Sequence, residues 1–255
     1  MNLHSQIVGE GRPVVILHGF LGMGDNWKSL ALSMAQKGNQ VHLVDQRNHG
    51  RSFHHAAFNY ELLTQDLKAY LDQQGLERII LLGHSMGGKT AIQFAVDFPD
   101  MLDKLVVVDI APKKYKGGHQ TIFEALLSVN LEQVQDRKEV ETQLSKYIDD
   151  VGVRLFLMKN LSRKKEGGFA WKMNLQEIYM NYSNILDEII IDPAVSNETL
   201  FVNGGKSAYV SLEDQAFIKT CFTQVQFQTI EDAGHWVHAE QPQALIHCLN
   251  SFLDQ

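Results

Sequence analysis

Gly83-His84-Ser85-Met86-Gly87-Gly88 stands between two short stretches of opposite character. Before it, Arg78-Ile79-Ile80-Leu81-Leu82 is apolar and partly β-branched and reads as a strand; after it, Lys89 to Val96 reads as a helix. A strand that turns into a helix this abruptly needs glycine where the two backbones approach, and Gly83 and Gly87 lie two residues either side of Ser85. The turn forces the serine into a strained conformation and lifts its hydroxyl out of the sheet. It also puts the Met86 amide in the first helical turn, where unpaired N–H groups and the helix dipole favour an anion. A glycine-rich turn that merely contains serine would have the same composition, so the rest of the chain must decide.

Composition removes several alternatives. The chain has 255 residues, 44% hydrophobic and 21% charged, which predicts an ordered globular core. A net charge of -7 without a basic stripe argues against a nucleic-acid binder. No apolar run approaches the roughly 18 residues of a membrane span. The opening Met1-Asn2-Leu3-His4-Ser5-Gln6 lacks the features of a secretory signal. Cys221 and Cys248, the two cysteines, fall in expected helices and form no C-x-x-C pair, so a cytoplasmic location is expected. There is no H-E-x-x-H, and neither His54-His55 nor His235 with His238 brings a ligand set, so no metal site and no cofactor are expected.

Read in order, the chain alternates strands and helices. Strands are expected at Leu3–Val8, Val14–Leu17, Val41–Val44, Ile79–Leu82 and Leu105–Val108. Helices are expected at Asp25–Gln36, after Asn59 up to Gly75, and from the serine turn to about Asp97. That rhythm implies right-handed crossovers and a mostly parallel sheet flanked by helices. From about Lys113 to Val195 it breaks, and Gln120–Val129, Val134–Tyr147, Val151–Leu161 and Leu175–Ile185 all favour helix. Such an insertion after the strand ending at Asp109 predicts a cap over the strand ends. The expected division is a core of residues 1–112 and 196–255 with a helical cap of 113–195. Strands resume near Leu200 and Val225, and Pro242 opens a last amphipathic helix.

Ester hydrolysis needs a serine with a base, a group orienting that base, and donors for the oxyanion. His18-Gly19-Phe20-Leu21-Gly22 follows a buried strand at the same sheet edge as Ser85, so the N–H of Phe20 joins that of Met86 as an expected oxyanion donor. His235, between the last strand and the last helix, is the expected base; His238 in the same loop is its rival, while His18 and His84 are better placed to brace backbone. The acid has two natural places, Asp109 and the loop after the Leu200 strand. That loop reads Asn203-Gly204-Gly205-Lys206-Ser207, with serine where aspartate is common. A serine cannot hold an imidazolium by charge, which points to Asp109, with Asp214 and Asp232 as alternatives. Asp45 precedes the nucleophile and, with Arg47, fits a loop-bracing role better.

Taken together, HGFLG, DQRNHGRS, GHSMGG, DIAP and AGHWVHAE resemble the α/β-hydrolase fold family over nearly the whole core. GHSMGGK, VVDIAP, the GGKSAYV loop and GHWVHAEQP are similar to the bacterial YbfF-type esterases. The resemblance implies a triad of Ser85, Asp109 and His235 and a cofactor-free esterase or acyl-CoA thioesterase. Serine rather than aspartate at the elbow argues against a dehalogenase or epoxide hydrolase. The same triad could serve C–C bond hydrolysis, a lyase reaction or perhydrolysis, and a ligand receptor is the non-enzymatic alternative. The expected partner is a small-molecule ester or thioester, with no nucleic acid and no membrane. Phe123, Leu126, Leu127, Phe156, Trp171, Tyr179 and Trp236 are the expected substrate-pocket residues. Lys113-Lys114-Tyr115-Lys116 and Arg163-Lys164-Lys165 are either solvated surface or, for an acyl-CoA, phosphate contacts.

Overall fold

A computed structural model describes residues 2–255. In chain order the core opens with β1 (Ser5–Val8), β2 (Arg12–Leu17), α1 (Lys28–Ala35), β3 (Asn39–Val44) and α2 (Tyr60–Gln74). It continues with β4 (Ile79–His84), α3 (Met86–Asp97) and β5 (Leu102–Val108). An insert then carries α4 (Gln120–Ser128), α5 (Arg137–Leu144), α6 (Val151–Met158), the strands β6 (Leu161–Arg163) and β7 (Phe169–Trp171), α7 (Leu175–Met180) and α8 (Tyr182–Leu186). The core closes with β8 (Glu198–Gly204), α9 (Leu212–Cys221), β9 (Val225–Ile230), α10 (Val237–Glu240) and α11 (Pro242–Leu253).

Seven strands form one sheet in the order β1-β3-β2-β4-β5-β8-β9, antiparallel only where β1 meets β3. The runs Val14–Leu17, Ile79–Leu82 and Leu105–Val108 of its central strands are apolar throughout because both faces are covered. Alternate residues go to opposite sides. Val15, Leu17, Leu81, Leu105, Val107 and Phe201 join a core with α2, α3 and the insert. Val14, Ile16, Leu82, Val106, Val108 and Leu200 join a second core with α1 and α11. β4 lies at the centre and is buried at every position, so the residue that follows it is held by neighbours on both sides.

Local signals set the helix ends. The Asn59 side chain accepts the Leu62 N–H at 2.9 Å, and Gly75 ends α2 in the left-handed region at φ 67°. One difference from the sequence reading lies in the insert. The helix expected over Val151–Leu161 stops at Met158, and Leu161 begins a two-stranded hairpin. Gly167 and Gly168, both at positive φ, make its turn. Two adjacent glycines were the signal, obscured by strands of three residues each.

The insert is fastened to the core through Lys89, a buried lysine in α3. Its ammonium donates to the Asp187 and Leu186 carbonyls at the end of α8. It also lies 5.3 Å from the Tyr60 ring centre and 5.1 Å from that of Tyr115. Burial lowers its pKa to about 8. The Tyr60 hydroxyl adds a bond to the Ile185 carbonyl at 2.8 Å. The last carbonyls of α8, which no intrahelical N–H can reach, are thus paired by core side chains.

A Cβ added at Gly87 would lie 2.4 Å from the Leu17 carbonyl oxygen, whereas at Gly75 it would meet nothing within 4 Å. Gly87→Ala is therefore expected to cost about 1–3 kcal/mol by backbone displacement and to lower activity. Gly75→Ala is expected to cost only about 1–2 kcal/mol from its left-handed backbone, with activity kept. Urea unfolding beside an ester assay separates the two effects.

Candidate active site

Ser85 sits between the end of β4 and the first turn of α3 with φ 53° and ψ -119°, a backbone state that costs a non-glycine residue on the order of 1–3 kcal/mol. Three glycines make the turn possible. A Cβ at Gly83 would fall 2.1 Å from the Gly87 carbonyl oxygen, and one at Gly88 would fall 2.5 Å from the Ile110 side chain. The Ser85 N–H donates to the Val108 carbonyl at 3.0 Å, which ties the turn to β5.

His235 comes from the loop between β9 and α10. Its Nε2 lies 3.0 Å from Ser85 Oγ and its Nδ1 lies 2.7 Å from Asp109 Oδ2. Asp109 follows β5 at φ 50° and is fully buried. Besides His235, its carboxylate accepts the Gly204 N–H at 2.9 Å and the Ser207 hydroxyl. The position where aspartate is common thus holds a serine that binds the acid supplied by the neighbouring strand. The alternative acids lie elsewhere. Asp214 pairs with Lys113 and its carboxylate accepts the N–H of Ser211, the N-cap of α9, and Asp232 pairs with Lys206 at the surface. With Nδ1–H given to Asp109, the neutral ring has Nε2 free to accept the serine proton, so the line of contacts can relay one proton out of Ser85.

Two backbone N–H groups, one in each of the turns after β4 and β2, have no acceptor among the described residues. The Met86 N–H heads α3, and the first turn of a helix leaves such groups without an intrahelical acceptor. In the loop after β2, the Leu21 N–H is taken by His49 Nε2 at 3.2 Å and the Gly22 N–H by the Gly19 carbonyl at 3.0 Å. The Phe20 N–H donates to no acceptor among the described residues.

Four of the remaining histidines are structural in their contacts. His18 Nδ1–H donates to the Gly19 carbonyl at 2.8 Å while its Nε2 accepts the Gln46 N–H at 3.0 Å. His49 is held in the same tautomer, Nδ1–H donating to the Arg47 carbonyl. Burial lowers the His18 pKa to about 4; burial, then the nearby His18, lowers that of His49 to about 3. His84, its pKa also pushed far down by burial, donates Nε2–H to the His235 carbonyl at 2.8 Å. His238, the rival base, stacks on Trp27 at 4.2 Å instead of facing Ser85. Asp45 accepts the Gly24 and Arg51 amides, and Arg47 pairs with Asp66, so both brace loops.

A cavity of about 550 Å³ opens over Ser85, walled by core loops and by the insert. Phe156 and Trp236 line it, their rings 5.6 Å apart. The other expected pocket residues do not. Phe123 and Leu126 are fully buried inside the insert, Leu127 and Tyr179 reach the surface, and Trp171 belongs to the hairpin. The reason is the rotation of α4, which turns Ile122 and its preceding residue His119 to the cavity and the Phe123–Leu126 stripe to the insert's own core. Lys113 and Lys114 are engaged by Asp214 and Asp187, and of the lysines in that cluster only Lys116 reaches the cavity. Sequence reasoning missed Tyr209, whose ring stacks on His235 at 3.7 Å. It also missed Glu240, whose carboxylate accepts the Gly234 and Trp236 amides on either side of that histidine.

A sequence model described as the alpha/beta hydrolase fold matches residues 12–242. The chain belongs to the α/β-hydrolase fold family. It is 40% identical to the sn-1-specific diacylglycerol lipase ABHD11 of Mus musculus, over 94% of this chain and 80% of that protein. It is 34% identical to the esterase YbfF of Escherichia coli, over 95% of this chain and 93% of that one. A solved structure of a marine microorganism esterase superposes with a TM-score of 0.96 at 44% identity, covering 98% of this chain and 99% of the other.

The neutral histidines make stability depend on pH. Their folded pKa values lie below the ordinary 6.5, so the unfolded chain binds more protons on acidification. The stabilisation is complete above pH 6.5 and is lost as pH falls towards about 3 to 4. In His49→Gln, the fall in urea-unfolding free energy between pH 6.5 and 4 should shrink by on the order of 2–3 kcal/mol relative to wild type.

Proposed function

We propose that this chain is a serine hydrolase that cleaves carboxylic esters or acyl thioesters through an acyl-enzyme on Ser85. The observation that carries the reading is the unbroken line Ser85 Oγ, His235, Asp109 at the floor of an open cavity. His235 Nε2 takes the hydroxyl proton as Ser85 Oγ bonds to the acyl carbon. The carbonyl electrons move onto oxygen, where the Phe20 and Met86 N–H groups hold them. The imidazolium, steadied by the Asp109 carboxylate, gives its proton to the leaving alcohol or thiol as that bond breaks. Water then repeats the sequence in reverse, with His235 as its base, and releases the acid.

The segment 113–195 acts in this reading as a cap on a core of 1–112 and 196–255, supplying Ile122, Val153, Phe156 and Tyr182 to the cavity wall. The partner is a small ester with an apolar acyl part; no cofactor, nucleic acid or membrane enters the scheme. No helix among the described residues is long and apolar enough to span a membrane. Unpaired Cys221 and Cys248 favour a reducing, cytoplasmic setting.

The test is hydrolysis of p-nitrophenyl esters from acetate to palmitate. Ser85→Ala should lower kcat by on the order of 10⁶ and Asp109→Asn by about 10⁴, by analogy with other serine triads. Activity of Ser85→Ala within about tenfold of wild type, with the fold intact by circular dichroism, would refute the assignment.

A further inference from the structure

The insert brings Tyr115, Lys116, His119 and Tyr182 to the cavity. The Tyr115 hydroxyl donates to the Tyr209 carbonyl at 2.8 Å and accepts the Ala111 N–H at 2.9 Å. Lys116 is exposed to solvent. His119 and Tyr182 differ. The Tyr182 hydroxyl accepts the Gly118 N–H at 3.2 Å and meets His119 Nδ1 at 2.6 Å, and His119 Nε2 has no partner among the described residues. Burial, with the neighbouring His235, lowers the His119 pKa to about 4, so the ring is neutral at working pH.

A neutral imidazole and a phenol together carry two hydrogens on their polar atoms. One lies in the contact between Nδ1 and the hydroxyl. If the phenol donates it, Nε2–H is left over; if Nδ1–H donates it, the phenol O–H is left over. In both cases one donor remains at the wall of a largely apolar cavity. Both rings are held in place. Phe20 lies 5.3 Å from His119 and 5.4 Å from Tyr182, and Phe123 lies 5.1 Å from Tyr182. Phe20 follows Gly19, where an added Cβ would lie 3.3 Å from the Ser85 side chain, and it lines the same cavity as Ser85, His119 and Tyr182.

We propose that His119 and Tyr182 form a hydrogen-bond subsite for a second substrate oxygen, one beyond the scissile ester group. The preferred substrates are then esters bearing a hydroxyl, ether or carbonyl oxygen on the alcohol or acyl part, rather than plain alkyl esters of equal size. A plain ester leaves the donor unpaired in a desolvated place, and unmade hydrogen bonds penalise a ligand more than made ones reward it. The inference rests on the ester-hydrolase reading and adds a substrate class to it.

The experiment compares kcat/KM for propyl butyrate, glycerol monobutyrate and propyl 3-hydroxybutyrate in wild type, Tyr182→Phe, His119→Gln and the double variant His119→Phe/Tyr182→Phe. Wild type should favour one oxygenated ester, and which one places the oxygen on the alcohol or the acyl side. In the double variant, which removes both hydrogens, that preference should fall about five- to tenfold, the worth of one hydrogen bond. His119→Gln, which keeps a donor, should retain part of it. If the double variant does not fold, His119→Leu/Tyr182→Phe, which also removes both hydrogens, should show the same fall, whereas Tyr182→Phe alone leaves the imidazole N–H and should keep the preference. A wild type without preference, or variants that lose all three substrates in equal proportion, would overturn the subsite while leaving the hydrolase reading intact. No turnover of any ester by wild type would overturn both.

Discussion

A carboxylate with no access to water survives in a protein only if its charge is met by donors, and Asp109 is such a group. Its three partners, Gly204 N–H, Ser207 hydroxyl and His235 Nδ1–H, come from two different segments beyond the insert. The carboxylate therefore joins the end of β5 to the loop after β8 and to the loop after β9. The Ser85–His235–Asp109 line of contacts and the closure of the core are consequences of the same compensation. It also explains why serine suffices at position 207. With the charge supplied by the neighbouring strand, what that loop must provide is a hydroxyl donor.

The imidazoles around the site divide by the same principle. His18 and His49 each have one ring nitrogen accepting a backbone N–H, which ties them to the neutral form and makes them spacers between loops. His235 instead has an acid on one nitrogen and a hydroxyl on the other, the arrangement in which gaining a proton is compensated. Tyr209 covers the face of its ring, and Glu240 holds the amides on either side of it. Position, more than residue type, separates a structural histidine from a reactive one.

The insert is joined to this site by polar contacts as well as by its apolar core. Lys89 and Tyr60 pair three consecutive carbonyls at the end of α8, and Tyr115 bridges the chain after β5 to the loop after β8. These bonds fix the cavity wall relative to Ser85. Lys89 follows Ser85 by one helical turn, so the Ser85 turn and the insert are coupled through a single short helix face.

Much of the core was legible because its signals are local. Short continuous apolar runs, Asn59 and Gly75 at the ends of α2, Pro242 at the start of α11 and glycines around Ser85 each act within a few residues. The hairpin in the insert escaped because three-residue strands carry no measurable period. Pocket residues escaped for a different reason. An amphipathic helix such as α4 declares an apolar face, but whether that face meets a substrate or its own neighbours depends on how the helix is rotated. The sequence by itself determined the layered sheet, the turn that holds Ser85 and the small set of residues able to serve it. Only the tertiary structure decided that Asp109, and neither Asp214 nor Asp232, meets His235, because that contact spans 126 residues and is set by the order β4-β5-β8-β9 in the sheet.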